Sequence, residues 1–295
     1  SPKVALVYAV GAIVSNSDSG GVPGTSGIAS AAEIAPAILD AADDDSVKAI
    51  VVRVDSPGGS PTASESILRA IERAQAKGKP VIVSMGATAA SGGYWIAAYA
   101  DQIFVLPSTI TGSIGVVGGK IALQDLFDKI DVNWEGVQWG QNAGMWSVNT
   151  PFSESEAERI NAMLDAVYDG FISRVAKGRD MTLEEVDQIA GGRVWSGKRA
   201  VDIGLADQFG GLNDALDYVA QELGQNNRMD LNVVVIPEPK TAFEQILSLI
   251  EGQAVLGQLA RENAAVLDWI KPLNDAAVQA KRPNDFMVME RLQVR

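Results

Sequence analysis

The fold is decided by the stretch AIVVRVDSPGGS at residues 49–60, in which an apolar run, Ala49–Val54, ends in a turn with two glycines. Thr62–Lys77 follows with a helical pattern, and Gly78 and Pro80 lie directly after it, where they favour the end of a helix. The next apolar run, Val81–Met85, has the length and the Val and Ile content of a strand. A strand, a helix and a second strand in this order are typical of parallel pairing.

The same alternation extends along the chain in both directions. Short runs rich in Val and Ile predict strands at Val4–Val10 and Ile103–Leu106, and Ala31–Ala41 has a helical pattern. Strands that alternate with helices predict an α/β fold with a mostly parallel sheet flanked by helices.

From about residue 152 the pattern becomes helical. Ser153 and Glu156 have the spacing of a capping box. The apolar stripe that follows is expected to pack on the sheet, and it consists of Ile160, Met163, Leu164, Val167, Phe171 and Val175. Thr182 and Glu185 repeat the capping pattern before a short helix at Leu183–Ala190.

The last part of the chain differs from the rest. Asp214–Leu223 predicts one more helix, and after residue 225 a short strand, Leu231–Ile236, leads into an amphipathic stretch at Ala242–Val278. We therefore expect two parts, a domain at residues 1–225 and a C-terminal strand with a helical extension at residues 226–295.

Two absences from the composition restrict the chemistry. The chain has no histidine and no cysteine, which excludes a Ser-His-Asp triad, thiol nucleophiles, disulfides and metal sites built on either residue. We expect no metal and no cofactor. The net charge of −13 argues against a nucleic-acid partner. A hydrolase of this composition is left with Ser-Lys chemistry, an N-terminal amine paired with Ser or Thr, or paired carboxylates.

Two glycine-rich elements follow predicted strands, DSPGGS at residues 55–60 and AASGGY at residues 89–94. Parallel strands end at one edge of a sheet, where ligands usually bind. Paired glycines allow a close approach of the backbone to a ligand, and a serine followed by Gly-Gly at a helix start can place a hydroxyl beside free N–H groups. One such turn is more often a plain connection, but two after neighbouring strands favour a site. Neither has the spacing of a nucleotide-binding motif.

The motifs VDSPGGS, SMGATAASGGYWIA and STITGSIG, in this order, resemble those of the signal peptide peptidase A family, also called protease IV. The similarity continues through GRVWSGKRA and GLAD, and it covers roughly residues 3–225. The resemblance implies a ClpP/crotonase-like fold with Ser91 as the nucleophile. It also implies an oxyanion hole made by the N–H groups of Gly58 or Gly59 and of Gly92.

The resemblance further implies a lysine that acts as the base and that Ser113 orients by a hydrogen bond. In short members of the family this lysine comes just before the long helix. The matching stretch here, WGQNAGMWS at residues 139–147, contains no lysine, and Gln141 stands about where the lysine is expected. Glutamine cannot accept the proton. The lysines on either side of this stretch are expected to be surface charges: Lys120, Lys129, Lys177 and Lys198.

Long members of the family have two tandem copies of the fold, with the lysine in the first copy and the serine in the second. This chain resembles the carboxy-terminal copy. We therefore expect an upstream half with the lysine and a membrane anchor to complete each site within a homotetramer. The implied activity is cleavage of remnant signal peptides and other apolar extended peptides at the periplasmic face of the bacterial inner membrane. Such peptides would add a strand beside Gly58–Ser60.

Two other functions fit the same fold. A crotonase-like acyl-thioester enzyme would use the paired amides to hold an enolate, and a non-catalytic scaffold or oligomerisation domain would need no lysine.

Overall fold

A computed structural model describes residues 1–16 and 27–237 of the chain. Its strands are β1 (Lys3–Val10), β2 (Ala12–Val14), β3 (Ile28–Ser30), β4 (Val47–Ser56), β5 (Val81–Ala90), β6 (Gln102–Val105), β7 (Ile110–Gly112), β8 (Val194–Ser196), β9 (Gln208–Phe209) and β10 (Asn232–Val235). Its helices are α1 (Ala31–Asp43), α2 (Pro61–Ala76), α3 (Gly92–Ala97), α4 (Gln124–Lys129), α5 (Glu154–Arg179), α6 (Leu183–Ile189), α7 (Gly197–Asp202) and α8 (Leu212–Glu222).

The main sheet confirms the predicted α/β fold. Its parallel strands lie in the order β10-β1-β4-β5-β6-β9, and β7 adds to the far end of β5 in parallel. The antiparallel strand β8 pairs with β7. The strand β5 continues five residues past the predicted end at Met85, because Thr88–Ala90 pairs with β7. Ser91 therefore follows the last residue of β5 directly.

Helices cover both faces of the sheet. On β1, Ala5, Val7 and Ala9 point into the larger core, which α1, α2, α3 and part of α5 cover. Val4 and Leu6 point to the opposite face, where α8 packs. This alternation follows from the period of two in a strand, and both faces of a parallel sheet need apolar residues when both are covered.

The long helix α5 begins as predicted, but only part of its apolar stripe packs as expected. Both hydrogen bonds of the Ser153–Glu156 capping box are formed, and α6 has the same box. Phe171 is buried against Trp95 of α3, with 4.5 Å between the ring centroids. Leu164 instead lines a cavity and Met163 is 40% exposed. The stripe was expected to pack on the sheet, and the structure places Phe171 against α3 and Leu164 at a cavity.

The strand β10, which begins after residue 225, joins the edge of the main sheet beside β1. The amphipathic stretch expected at Ala242–Val278 lies outside the described residues. Within the ranges that are described, no helix combines the length and the apolar composition that crossing a bilayer requires.

Candidate active site

Ser91 lies on a sharp turn between β5 and α3. Its backbone has φ 51° and ψ −122°, a left-handed conformation that costs a non-glycine residue about 1–3 kcal/mol. The turn is held on both sides, because the N–H of Ser91 donates to the carbonyl of Gly112 at 2.9 Å and its carbonyl accepts from Tyr94 and Trp95. Strained turns of this kind present a serine hydroxyl at the end of a strand.

The glycine turn after β4 lies directly against Ser91, as expected for two parallel strands that end at one edge. A Cβ on Gly58 would be 2.7 Å from the Cβ of Ser91 and 2.7 Å from the nitrogen of Gly92. A Cβ on Gly92 would be 2.6 Å from Oγ of Ser64 and 3.1 Å from the nitrogen of Gly59. Only glycine allows this approach, which brings the two predicted glycine-rich elements together.

The hydrogen bonds show which of the two candidate N–H groups, that of Gly58 or that of Gly59, is free to bind an oxyanion. The N–H of Gly58 donates to the buried hydroxyl of Ser56 at 3.1 Å. The N–H groups of Gly59 and Gly92 make no hydrogen bond to any of the described residues. Gly59 and Gly92 therefore offer the free donors that an oxyanion requires, and Gly58 makes room for them.

Ser113 lies at the end of β7, the strand next to Ser91. It also has a positive φ, of 49°, and its N–H donates to the carbonyl of Arg193 at 2.7 Å. Trp195 of β8 packs on Gly112, where a Cβ would be 2.7 Å from Cδ1 of the indole. The GRVWS motif thus supports the backbone that carries Ser113.

Ser91 and Ser113 line one cavity of about 420 Å³. Its other lining residues are Gly115, Val116, Val117, Leu164, Asp165, Tyr168, Gly191 and Gly192. None of these residues was predicted to belong to the site. Gly115 and Gly192 lie in the motifs STITGSIG and GRVWSGKRA, and Leu164 lies in the apolar stripe of α5, which we interpreted as core packing. No group of three His, Cys, Asp or Glu side chains within the described ranges is placed to hold a metal ion.

No lysine of the described residues lines this cavity. Lys129, Lys177 and Lys198 are exposed, as predicted, and Gln141 is exposed and does not line the cavity. The prediction for Lys120 is wrong, because its Nζ is buried without a hydrogen-bond partner among the described residues and lies 4.5 Å from the centre of the Phe152 ring. The aromatic face accounts for this position, since it attracts a cation.

Tyr168 cannot act as a base in place of the lysine. Burial raises the pKa of Tyr168, and the hydrogen bond to Asp187 together with the charge of Asp187 raises it further. Its hydroxyl donates to Oδ1 of Asp187 at 2.6 Å. The tyrosine is therefore protonated at neutral pH and its proton is already engaged.

Glu65 of α2 connects the three helices around the site. Its carboxylate accepts two hydrogen bonds from Arg174 of α5, at 3.0 and 2.8 Å, and one from Nε1 of Trp95 of α3, at 3.1 Å. Burial raises the pKa of Glu65, but the hydrogen bonds from Arg174 and Trp95 and the charges of Arg174 and Arg69 outweigh this effect, so the pKa lies below its usual value. The Glu65–Arg174 ion pair and the hydrogen bond from Trp95 hold α3, which begins directly after Ser91, between α2 and α5.

Replacing Glu65 by glutamine should destabilise the fold at neutral pH by about 1–2 kcal/mol, since Arg174 keeps its place but loses a charged acceptor. Because the pKa of Glu65 is lower in the folded than in the unfolded chain, the unfolded chain binds more protons as the pH falls. The difference in the free energy of unfolding between the unsubstituted protein and Glu65→Gln should therefore be largest above pH 4.5, the usual pKa of a glutamate. It should shrink as the pH falls through the lowered pKa of Glu65. Urea unfolding at a series of pH values measures it.

The control for this variant is Glu72→Gln, which removes a charge from the same helix. Glu72 pairs with Lys177 on the surface, and such exposed pairs contribute about 0–1 kcal/mol. An equal loss of stability in the two variants, or a loss in Glu65→Gln that does not change with pH, would contradict the role of the Glu65 carboxylate in holding α3 between α2 and α5.

Comparison with known proteins identifies relatives of this chain. Residues 73–226 match the family model described as Peptidase family S49. The chain is 42% identical over 192 residues to Protease 4 of Haemophilus influenzae, which covers 65% of this chain and 31% of that protein. It is 36% identical over 282 residues to Protease 4 of Salmonella typhi, covering 96% of this chain and 44% of that protein. It is 37% identical over 201 residues to a protein of Enterococcus faecium named putative signal peptide peptidase SppA, covering 68% of this chain and 58% of that protein. The chain thus spans less than half the length of either Protease 4 relative.

Proposed function

The chain belongs to peptidase family S49, and from this premise we propose that it is the serine-bearing half of a Ser-Lys endopeptidase. Family members that it matches are named as proteases, which favours a serine peptidase over a crotonase-like acyl-thioester enzyme or a scaffold. The observation that carries the proposal is the strained Ser91 turn, packed against glycine amides that are free to bind an oxyanion.

The reaction follows from the placement of these groups. The hydroxyl of Ser91 attacks a peptide carbonyl, and a neutral lysine amine from outside this chain accepts its proton. The N–H groups of Gly59 and Gly92 hold the oxyanion of the tetrahedral intermediate. The lysine then protonates the departing amine, and water hydrolyses the acyl-serine. Ser113 orients the amine from the neighbouring strand.

The segment at residues 116–148 exposes many apolar side chains, and this supports the proposal that a second folded unit docks beside the site. Val117 and Trp139 are each 96% exposed, and α4 within this segment contains no buried residue. Contiguous exposed apolar residues mark interaction surfaces. Val117 also lines the cavity with Ser91, so a unit that covers the segment would reach the site. We propose that this unit is the upstream half with the lysine and the membrane anchor, within a homotetramer.

The proposed substrates are remnant signal peptides and other apolar extended peptides, cleaved at the periplasmic face of the bacterial inner membrane. The backbone edge that we expected to bind them is partly occupied. The N–H of Ile13 donates to the carbonyl of Gly58, and the N–H of Ser60 donates to the carbonyl of Ile13. Strand addition at Gly58–Ser60 therefore cannot use these two groups, and we propose that the peptide lies in the cavity beside Val116, Val117 and Leu164.

The test is to supply the missing base. A longer chain that continues amino-terminally through the lysine-bearing half should cleave an apolar fluorogenic peptide at least about 100-fold faster than residues 1–295, since a positioned base contributes this much or more. Changing the upstream lysine to methionine should return the rate to that of residues 1–295.

The matched control is Lys198→Met within this chain. Because Lys198 is exposed and does not line the cavity, the longer chain should keep its rate with this change. Loss of activity in Lys198→Met, or full activity without the upstream lysine, would show that the base has been assigned to the wrong part of the protein.

A further inference from the structure

The cavity beside Ser91 has an uneven charge. Asp165 is the single charged side chain among its lining residues, and Lys and Arg are absent from that lining within the described part of the chain. Three apolar side chains, those of Val116, Val117 and Leu164, line it as well. The cavity therefore combines an apolar wall with one carboxylate.

This carboxylate has no partner among the described residues. The side chain of Asp165 is exposed and makes no hydrogen bond or ion pair with any of them. The neighbouring Tyr168, on the same face of α5, donates its hydroxyl to Asp187 and so leaves Asp165 free. The nearby Arg193 is fixed by a hydrogen bond from Nη1 to the carbonyl of Ala190 at 2.6 Å. A carboxylate thus faces the cavity without a partner in the part of the chain that the structure describes.

The upstream lysine is a poor match for this carboxylate. A base must lose its proton near neutral pH, and a carboxylate close to the amine raises its pKa and keeps it protonated. A cation that stays charged throughout the reaction gains from the same contact. The long side chains of Lys and Arg also place an apolar stem against an apolar wall while the charged end reaches a polar group.

We propose that Asp165 selects substrate peptides with a lysine or arginine side chain near the bond that Ser91 attacks, the stem packing on Val117 and Leu164. This rests on the proposed function, because it needs a peptide in the cavity. Remnant signal peptides contain both chemistries, a basic stretch followed by an apolar one. Asp165 is then a specificity-determining residue at the boundary between these two stretches.

The experiment measures binding without catalysis. Residues 1–295 with Ser91→Ala are titrated into two fluorescein-labelled peptides, Ala-Leu-Lys-Ala-Leu and the same peptide with norleucine in place of lysine, and anisotropy is recorded. Norleucine keeps most of the stem and removes the charge. The lysine peptide should bind about fivefold more tightly, and high salt should reduce this preference.

Asp165→Asn in the same background should abolish the preference, whereas Asp169→Asn should keep it. Asp169 is an exposed aspartate one turn further along α5 that does not line the cavity, so it controls for the general loss of negative charge. Equal binding of the two peptides, an equal effect of both variants, or no binding of either peptide would overturn the proposal. Because Ser91 is absent here, failure of the proposed catalysis would not change these results, and it is detected separately by the labelling described below.

Discussion

Replacing Ser91 by alanine should abolish reaction with a fluorophosphonate and lower peptide cleavage by the lysine-bearing longer chain about a thousandfold or more, as loss of a nucleophile does in serine peptidases. The expectation rests on the turn, which holds Ser91 at φ 51° against the free N–H groups of Gly59 and Gly92. Intact-mass measurement and peptide mapping should find one adduct, at Ser91, in the unsubstituted protein. An adduct in Ser91→Ala, or one at another serine, would contradict the assignment.

Ser113→Ala distinguishes a positioning role from a structural one. If Ser113 orients the lysine, its loss should slow labelling of the longer chain about 10- to 100-fold, the range expected for a misplaced catalytic group. The same change in residues 1–295 alone should leave the slow labelling nearly unchanged, since no lysine of the described residues lines the cavity. An equal loss in both proteins would mean that Ser113 only supports the Ser91 turn through β7.

The parts of this site that the sequence predicts are those encoded by local chemistry. Short apolar runs rich in Val and Ile place β4 and β5, and the Ser153–Glu156 capping box gives the start of α5 within one residue. Parallel strands end at one edge, which is enough to predict that Gly58 and Ser91 meet. These features depend on a few neighbouring residues, so the sequence alone indicates them.

The parts that the sequence does not predict depend on distant contacts. Gly59 rather than Gly58 keeps a free N–H because the hydroxyl of Ser56 lies beside Gly58. Asp165 lines the cavity because α5 packs on α3, yet in the sequence it is one acidic residue beside an apolar stripe. Ile13 of β2 hydrogen-bonds to the backbone of Gly58 and Ser60, where we expected a peptide substrate to bind. Ile13 comes 45 residues before Gly58 in the sequence, so nothing near either residue indicates this contact.

The packing of α5 on α3 leads to a second large effect, on stability. Replacing Gly178 by alanine should destabilise the fold by about 3 kcal/mol, the upper part of the range for overpacking. A Cβ at this position would lie 2.0 Å from the carbonyl oxygen of Ala98 and 2.7 Å from Cδ1 of Tyr99. The oxygen belongs to the backbone, which cannot move aside alone, so α5 must shift away from the end of α3.

Gly170→Ala, eight residues earlier on the same helix, should stabilise the fold instead of destabilising it. The nearest atom to its Cβ would be Cη2 of Trp95 at 3.9 Å, an ordinary contact, and alanine in place of a glycine inside a helix stabilises by about 0.5–1 kcal/mol. The urea concentration at the midpoint of unfolding, followed by tryptophan fluorescence, measures the stability of both variants. Because α3 begins directly after Ser91, Gly178→Ala should also slow labelling of that serine, while Gly170→Ala should not. A stabilised Gly178→Ala, or two variants that shift in the same direction, would mean that α5 does not pack against α3 at the distance described.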